Sequence, residues 1–397
     1  MNRKIRKLVL INFIVLLSSN VNAQWIQQNS GTTNFLMSIQ FPTNNVGYVL
    51  AETGYVRKTT NGGSSWNLVG GQNDMWGQIY FTSIDTGFAT GARGVLKTMN
   101  GGVSWVDNFP DSVFTTSLSF ISTTVGYAAG SVLPYDTTLV YKTNDGGTSW
   151  NRISSVPTSL PSGIQSIYFL DNLTGFLINY ADAIYKSVDG GLTWVQKSSG
   201  YAIYSVQFPS PLVGYAVGDF DLLKTTDGGE TWIPMANSNP QALYSVFFTD
   251  DATGYIVGGN GISSGAIEKT TNSGSAWSVD LSNVQTFNCV YFHNANVGYA
   301  CGTNGVIYKL DLGIGINDVA KDDELTMYPN PATNELTIES KMQNAEIEIR
   351  DVLGQMVYST KAIAASSTID VSMLSKGVYF ISLQNGKQTI NKKLVKE

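Results

Sequence analysis

One nine-residue stretch, KTNDGGTSW at Lys142–Trp150, decides the fold because it recurs along the chain. The other copies are KTTNGGSSW (Lys58–Trp66), KTMNGGVSW (Lys97–Trp105), KSVDGGLTW (Lys186–Trp194), KTTDGGETW (Lys224–Trp232) and the degraded KTTNSGSAW (Lys269–Trp277). The Asn or Asp suits a tight turn as an acceptor of backbone N–H bonds, and a glycine suits its positive-φ position. We expect a hairpin turn in every copy, built on Asn61, Asn100, Asp145, Asp189, Asp227 and Asn272. We also expect the tryptophan that ends each copy to pack between neighbouring repeat units. These residues are Trp66, Trp105, Trp150, Trp194, Trp232 and Trp277.

A second repeated element precedes each turn: an alternating strand ending in aromatic residues, followed by Gly-Tyr or Gly-Phe. It occurs seven times, from SIQF before Gly47-Tyr48 to CVYF before Gly298-Tyr299. The seventh unit lacks its Trp, and Trp25-Ile26-Gln27 can supply the missing strand. The repeat of about forty residues therefore predicts an all-β fold over residues 24–310, a seven-bladed β-propeller whose chain ends close the ring.

The turn pattern S/T-x-D/N-x-G-x-S/T-W resembles the Asp-box of bacterial neuraminidase-repeat (BNR) propellers. Together with GY-x-x-G it is most similar to the photosystem II stability/assembly factor family. That resemblance implies a seven-bladed propeller, which in the family escorts a photosystem subunit. Because Asp-boxes are structural and many unrelated functions share one fold, the resemblance predicts architecture and leaves function open.

The N-terminus has the pattern of a cleaved signal peptide at residues 1–23. Arg3, Lys4, Arg6 and Lys7 precede an apolar run, and Val21-Asn22-Ala23 is a small-x-small cleavage site. A membrane anchor is the alternative, but ~10 apolar residues cover about half of the hydrocarbon thickness. Removing the four basic leader residues leaves 20 basic and 30 acidic side chains, a net charge of −10. This charge argues against nucleic-acid binding.

The last part of the chain forms a separate module. Residues 311–324 have the composition of a polar linker, and 325–397 show short alternating strands typical of a small β-sandwich. The motif residues are Tyr328, Pro329, Asn330, Pro331, Asp351, Gly354, Gly377, Tyr379, Lys392 and Lys393. In this pattern the module resembles the type A C-terminal sorting domain of the type IX secretion system of Bacteroidota. The resemblance implies a partnership with that machinery and a secreted or cell-surface location. A carbohydrate-binding-like sandwich is the alternative.

Cys289 and Cys301 flank a predicted hairpin in the seventh unit. The hairpin could place them opposite each other on adjacent strands. They would then either form a disulfide or remain two buried thiols, because strand geometry often misses the required Cα separation.

Short Asp-box turns on one face of the ring leave the other face to longer connections, such as 67–78, 106–116 and 131–141. We expect this long-loop face to bind ligand, since loops on a rigid scaffold commonly carry function. Its candidate residues are Asp74, Trp76, Arg93, Asp107, Phe109, Tyr135, Asp136, Asp182, Tyr201, Asp219 and Asp221. Aromatic rings and carboxylates there suit a glycan or a protein.

The function that these patterns favour is non-enzymatic binding by a monomer, without metal or cofactor. The alternative is a glycoside hydrolase, with Asp219 and Asp221 on one strand face opposed by another acid. A sialidase is disfavoured because the propeller has only Arg57, Arg93 and Arg152. The single histidine, His293, is expected in a solvated turn.

Overall fold

A computed structural model of the 397-residue chain describes residues 24–132, 137–155, 163–236, 241–261, 264–311, 325–340, 345–351, 355–360, 366–384 and 389–397. The chain divides into two units, Met1–Asp311 and Leu312–Glu397. The predicted signal peptide and most of the predicted linker lie outside the described residues, as do Tyr135, Asp136 and Gly354.

The first unit consists of seven antiparallel sheets of four strands. Blade 1 contains β2 (Leu36–Gln40), β3 (Gly47–Ala51), β4 (Tyr55–Thr59) and β5 (Asn67–Gly71). Blade 2 contains β6 (Met75–Phe81), β7 (Gly87–Gly91), β8 (Gly94–Thr98) and β9 (Val106–Asp107). Blade 3 contains β10 (Phe114–Phe120), β11 (Gly126–Val132), β12 (Thr137–Thr143) and β13 (Asn151–Ser155).

The next three blades repeat this order. Blade 4 contains β14 (Ile164–Phe169), β15 (Gly175–Asn179), β16 (Ala183–Ser187) and β17 (Val195–Ser199). Blade 5 contains β18 (Ile203–Gln207), β19 (Gly214–Gly218), β20 (Leu222–Thr225) and β21 (Ile233–Pro234). Blade 6 contains β22 (Ala242–Phe248), β23 (Gly254–Gly259), β24 (Gly265–Thr270) and β25 (Ser278–Asn283).

Blade 7 joins the two ends of the propeller chain. It contains β26 (Phe287–Asn294), β27 (Val297–Gly302), a 3-10 turn (Thr303–Gly305), β28 (Ile307–Asp311) and the N-terminal strand β1 (Trp25–Gln28). The outer strand β1 pairs antiparallel with β28, so that Trp25 lies opposite Leu310 and Gln28 opposite Ile307. The predicted closure is confirmed, and it leaves blade 7 with the same four strands as its neighbours.

Aromatic rings connect every blade to the next. In each blade the ring of the Gly-Tyr or Gly-Phe pair stacks on the Phe that ends the inner strand of the following blade. Tyr127 and Phe169 illustrate the contact, with ring centroids 3.4 Å apart and planes 5° from parallel. Equivalent stacks join Tyr48 to Phe81, Phe88 to Phe120, Phe176 to Phe208, Tyr215 to Phe248, Tyr255 to Phe292 and Tyr299 to Phe41.

A tryptophan then packs edge-on against each of these stacks. Trp194 meets Phe169 at a centroid distance of 6.0 Å and an angle of 83°. The residues in this position are Trp66, Trp105, Trp150, Trp194, Trp232 and Trp277, with Trp25 completing blade 7. Six of the seven are buried and Trp194 is half-buried, so the edge-to-face contact adds to the burial of a large ring.

The Asp-box turns hold the outer hairpins by side-chain hydrogen bonds. The carboxylate of Asp145 accepts bonds from the Thr143 hydroxyl at 2.8 Å, the Ser149 amide at 2.9 Å and the Ser149 hydroxyl at 2.6 Å. Asn61 accepts bonds from Thr59 and Ser65 in the same arrangement and donates its own amide to Ser65. Asn100, Asp189, Asp227 and Asn272 accept the corresponding backbone bonds. The degraded sixth copy has Ala276 in place of the last hydroxyl residue.

The second glycine of each turn also serves the blade interface. Gly147 adopts a φ of +70°, and a Cβ atom there would collide with the ring of Phe88 in the preceding blade. A glycine at this point therefore lets the aromatic stack approach the turn closely.

The second unit is a sandwich of two antiparallel sheets. One sheet contains β29 (Leu325–Tyr328), β30 (Glu335–Ser340) and β33 (Ser366–Asp370). The other contains β31 (Glu346–Asp351), β32 (Met356–Thr360), β34 (Gly377–Gln384) and β35 (Thr389–Lys396). Buried aliphatic side chains from both sheets form one core. The predicted all-β class, a propeller followed by a small sandwich, is confirmed.

Replacing Trp150 by alanine should destabilise the propeller by about 3–5 kcal/mol, as for other large buried rings. Trp150 is only 5% exposed and packs edge-on against Phe120. Chemical denaturation of the two proteins would measure the difference. Trp76→Ala is the matched control, because Trp76 is 53% exposed and should change stability by less than about 0.5 kcal/mol. Equal midpoints for wild type and Trp150→Ala would contradict the role of Trp150 in packing between blades.

Stability should fall in acid because of the Asp-box carboxylates. Hydrogen bonds from Ser149 hold the pKa of Asp145 well below its usual range, and Thr231 does the same for Asp227. Each carboxyl group has a lower pKa in the folded state than in the unfolded state, where it is about 3.9. Its stabilisation of the folded state is therefore complete above that pH and is lost as the pH decreases further. Denaturation midpoints measured from about pH 6 to about pH 2, on both sides of the unfolded-state pKa, should show this loss.

The double variant Asp145→Asn/Asp227→Asn is the control, because Asn61 and Asn100 already make the same turn without a charge. It should keep its stability near neutral pH and lose part of the acid dependence. An unchanged acid dependence would assign the effect to other carboxylates.

Candidate binding site at the mouth of the central channel

The seven inner strands surround a central channel with a volume of about 470 Å³. One end opens among the Asp-box turns and the other on the long-loop face. The long-loop face comprises the connections between the second and third strands of each blade and those between consecutive blades. Side chains at the start of the inner strands therefore line its mouth, with the loop residues around them.

The connection at 67–78 is shorter than the sequence suggested. Gly70 and Gly71 belong to β5, where Gly71 pairs with Tyr55, and Trp76 lies on β6. The glycines were interpreted as loop residues, but they are paired where a side chain would collide with neighbouring backbone. Trp76 is exposed, and its indole N–H donates to the carbonyl of Asn73 at 2.9 Å.

Arg93 does not form a free basic site on this face. Its guanidinium pairs with the carboxylate of Asp74 at 2.9 Å, and the exposed fraction of its side chain is 63%. The ion pair offsets the charge of both residues, so neither offers an isolated charge to a ligand.

In the connection after β9, the acidic side chains and the phenylalanine ring make contacts within the propeller. Asp107 accepts the amide of Phe109 at 3.1 Å, and Asp111 accepts the hydroxyl of Tyr141 at 2.6 Å. Phe109 was expected to face a ligand, and part of its ring is taken up by packing. It is half-buried against Tyr141 and Trp150, because Gly94 leaves room for its ring at the blade interface.

Three of the predicted acids converge on the opposite side of the mouth. Asp182 comes from the β15–β16 connection, and Asp219 and Asp221 come from the next blade's β19–β20 connection. Asp219 and Asp221 were expected on one strand face, but both lie in a tight turn before β20, in which Gly218 donates to the carbonyl of Asp221 at 2.9 Å. Tyr201 is half-buried beside them, and its amide donates to the carbonyl of Asp182 at 3.4 Å.

The negative charges of this group raise the pKa values of the neighbouring side chains. Partial burial raises the pKa of Asp221, and the carboxylates of Asp219 and Asp182 raise it further, against one bond from the Ala202 amide at 3.2 Å. Burial also raises the pKa of Tyr204, again with contributions from Asp219 and Asp182. The group therefore combines negative charge with a tyrosine hydroxyl that remains protonated at neutral pH.

A stacked tyrosine pair forms the inner wall of the site. Tyr204 on β18 and Tyr244 on β22 lie with ring centroids 5.6 Å apart and planes 9° from parallel. Both are half-buried, and both line the channel. Burial raises the pKa of Tyr244, and the charge of Asp219 adds to this.

Sequence reasoning missed these two tyrosines. They lie inside regular strands, where alternation assigns them a structural role. The detectable signal is at the position just before the repeated serine of the inner strand, where blade 2 has Gln78 and blade 7 has Cys289 instead of the serine. That preceding position is occupied by Met37, Gly77, Thr116, Gln165, Tyr204, Tyr244 and Asn288, and only blades 5 and 6 place tyrosine there.

His293 is part of the blade interface, contrary to expectation. It lies on β26, and its Nδ1 is 2.9 Å from the carbonyl oxygen of Phe41 in blade 1.

Metal ligands and membrane-spanning helices were sought among the described residues alone. No group of three His, Cys, Asp or Glu among them could hold a metal ion. None of them forms a helix with the length and hydropathy needed to span a bilayer.

In the second unit, the Tyr-Pro-Asn-Pro motif anchors the end of the chain. Asn330 accepts the amide of Val395 at 2.9 Å, and Ala332 donates to the carbonyl of Val395 at 2.8 Å. The last strand, β35, carries Lys392 and Lys393.

The other motif residues of this unit hold local turns. The carboxylate of Asp351 accepts the Gln355 amide at 2.9 Å. Gly377 begins β34, and the Tyr379 hydroxyl donates to the carbonyl of Ser375 at 2.9 Å.

Two family models match the chain. Residues 326–397 match the secretion system C-terminal sorting domain. Residues 69–200 match the photosynthesis system II assembly factor Ycf48. The sorting domain assigns the chain to export by the type IX route, to the cell surface or the extracellular space.

Curated relatives and solved structures agree with the second match. The chain is 39% identical over 69 residues to photosystem II stability/assembly factor HCF136 of Oryza sativa subsp. japonica, covering 17% of either chain. It is 26% identical over 194 residues to photosystem II assembly lipoprotein Ycf48 of Synechococcus sp. (strain CC9902), covering 45% of this chain and 55% of the relative. The chain thus spans about half, or less, of the relatives it matches.

Among solved structures, Ycf48 bound to D1 peptide superposes with a TM-score of 0.59 at 14% identity, covering 72% of this chain and 96% of the other. The GH74 xyloglucanase of Xanthomonas campestris superposes with a TM-score of 0.57 at 12% identity, covering 80% and 59%. Both likenesses concern the fold alone. The protein is therefore a β-propeller that resembles the Ycf48-like photosystem II assembly factors, joined to a type IX secretion sorting domain.

Proposed function

We propose that the propeller is a non-enzymatic binding module at or outside the cell surface, with its site at the long-loop mouth of the channel. The observation that carries this proposal is the meeting of Asp182, Asp219 and Asp221 with the stacked pair Tyr204 and Tyr244. These side chains come from three consecutive blades, so the rigid ring of blades positions them.

The chemistry of the site suits a polar ligand with an apolar surface. The carboxylates accept hydrogen bonds from hydroxyl or ammonium groups, and the tyrosine rings offer a flat surface for stacking. A glycan has both features, and so does a peptide with basic side chains. The similar propeller Ycf48 has been solved with a D1 peptide, which supports a peptide as one ligand class for this architecture.

A glycan array and a peptide array probed with residues 24–397 would test the proposal. The double variant Asp182→Asn/Asp219→Asn should weaken any detected binding at least about tenfold, because charged hydrogen bonds contribute about 1.5–3 kcal/mol each. Trp76→Ala is the control, since Trp76 lies on blade 2 and should leave that binding within about twofold (below ~0.5 kcal/mol, as for other exposed positions). Binding lost in the control but kept in the double variant would place the site on the other side of the mouth.

A glycoside hydrolase is the second candidate, favoured by one observation. The pKa of Asp221 is raised by burial and by Asp219 and Asp182, and a carboxyl group with a raised pKa beside a second carboxylate is an arrangement that such enzymes use. Incubation with a polysaccharide panel should then release reducing sugar, and Asp221→Asn should abolish the release. Binding of a glycan without release would instead favour the binding module.

We also propose that residues 1–23 are a cleaved signal peptide that delivers the chain to the periplasm before the type IX step. The basic segment and the Val21-Asn22-Ala23 site support this proposal. N-terminal sequencing of the exported protein should begin at Gln24. A sequence that begins at Met1 would favour an uncleaved anchor.

Removing residues 325–397 should retain the propeller inside the cell envelope, because the sorting domain is then absent. Immunoblots of envelope and medium would measure the distribution. A subtler variant, Asn330→Ala, removes the bond to Val395 and should reduce export, while Met373→Ala, at a side chain 91% exposed, should leave it unchanged. Normal export of the truncated chain would overturn the role of the domain.

A further inference from the structure

The chain's two cysteines occupy one cross-strand pair in blade 7, and no other blade has a cysteine. Cys289 takes the place of the inner-strand serine that five other blades have (Ser38, Ser117, Ser166, Ser205 and Ser245), whereas blade 2 has Gln78 there. Cys301 takes the place of an aliphatic residue that varies among the blades, namely Leu50, Ala129, Ile178, Val217 or Val257. The register pairs Ser205 with Val217, Ser245 with Val257, and Cys289 with Cys301. Blade 7 is therefore the one blade with cysteine at both positions of this pair.

The serine has a structural task that a cysteine performs poorly. The hydroxyl of Ser38 accepts the Ile79 amide at 3.2 Å, and that of Ser245 accepts the Val290 amide at 3.2 Å. Both bonds join the inner strands of neighbouring blades. Cys289 receives the Ile39 amide of blade 1 at the same place, and because a thiol is a weak acceptor this bond is weaker than the one a serine would make.

The surroundings of the two thiols bring them together at the seam of the ring. Both are free thiols here, and both pack among the side chains between blade 7 and blade 1. Directly opposed residues on antiparallel strands have Cβ atoms about 4.5–5.5 Å apart, and a disulfide needs about 3.5–4.5 Å. A small approach of two strands that are already paired would therefore suffice.

We propose that Cys289 and Cys301 are a covalent modification site, joined by a cross-strand disulfide in the oxidising environment beyond the inner membrane. The proposal does not depend on the ligand of the channel mouth. The two thiols lose two protons and two electrons as the bond forms. The oxidant is a disulfide of a small molecule or of a protein, which takes them up and becomes two thiols. Exported proteins are where such bonds form and persist.

The order of events follows from access. Cys289 is half-buried and lines the channel, whereas Cys301 is fully buried. Hydrogen bonding from the Cys301 thiol lowers the pKa of Cys289, and burial raises the pKa of Cys301. Cys289 therefore attacks the oxidant first and forms a mixed disulfide, because the thiolate is the nucleophile. Cys301 then displaces the bound thiol, and its proton goes to the departing thiolate.

The bond would tie β26 to β27 in the blade that β1 completes. Every outer strand pairs with one neighbour only, but β1 is the one that no hairpin joins to that neighbour, so blade 7 is closed by noncovalent contacts alone. A cross-link there restricts the unfolded chain and stabilises the closed ring.

The test uses residues 24–397 purified under reducing conditions and then equilibrated with oxidised glutathione. After unfolding and alkylation, intact mass should show no free thiol, and a peptide map without reductant should contain the joined Cys289 and Cys301 peptides. The melting temperature should rise by several degrees on oxidation and return with reductant. Two alkylated thiols after oxidation, or a disulfide between two chains, would overturn the proposal.

The repeat itself supplies matched variants that preserve folding. Cys289→Ser restores the serine of the other blades, and Cys301→Val restores the valine of blades 5 and 6. In Cys301→Val, Cys289 should accumulate a stable glutathione adduct, and in Cys289→Ser, Cys301 should stay unmodified. The double variant should melt at the same temperature with and without oxidant. Absence of the adduct in Cys301→Val would contradict the route through the channel.

Discussion

The stacking of one aromatic ring on the next blade's Phe is the contact on which the propeller depends. Each stack, such as Tyr127 on Phe169, is capped by the edge of a tryptophan, and the set recurs at every blade interface. A lysine completes several of them, as Lys142 does with its Nζ 4.9 Å from the Tyr127 ring centroid. Because the contacts form a closed cycle, each blade buries its aromatic face only when both neighbours are present, which couples the ends of the chain to the whole ring.

This cycle explains why the Asp-box turns are so uniform while the other face varies. The turn must present its second glycine and a tryptophan at fixed places beside the aromatic stack, as Gly147 does beside Phe88. The long-loop face has no turn repeated at every interface, so its connections vary in length and composition, although single residues such as Phe109 pack at an interface. A candidate site at that end of the channel therefore rests on a scaffold that the repeated stacks hold rigid.

The likeness to Ycf48 concerns this scaffold, and the site residues of the present chain have their own character. Arg93 is paired with Asp74, and the charge that remains at the channel mouth is negative. The sorting domain directs the protein out of the cell. Because many functions share one architecture, the common fold does not by itself transfer the function of Ycf48 to this chain.

The sequence by itself determined the number of blades, the Asp-box turns, the closing strand and the sorting domain. These features repeat or follow a fixed motif, and a repeat is visible without coordinates. Only the tertiary structure decided which loop residues meet. It brought Asp182, Asp219 and Asp221 to the Tyr204–Tyr244 pair, buried Phe109, and moved His293 from a supposed turn into a blade seam. Such contacts arise between blades, about forty residues apart, where no local pattern records which side chains share a surface.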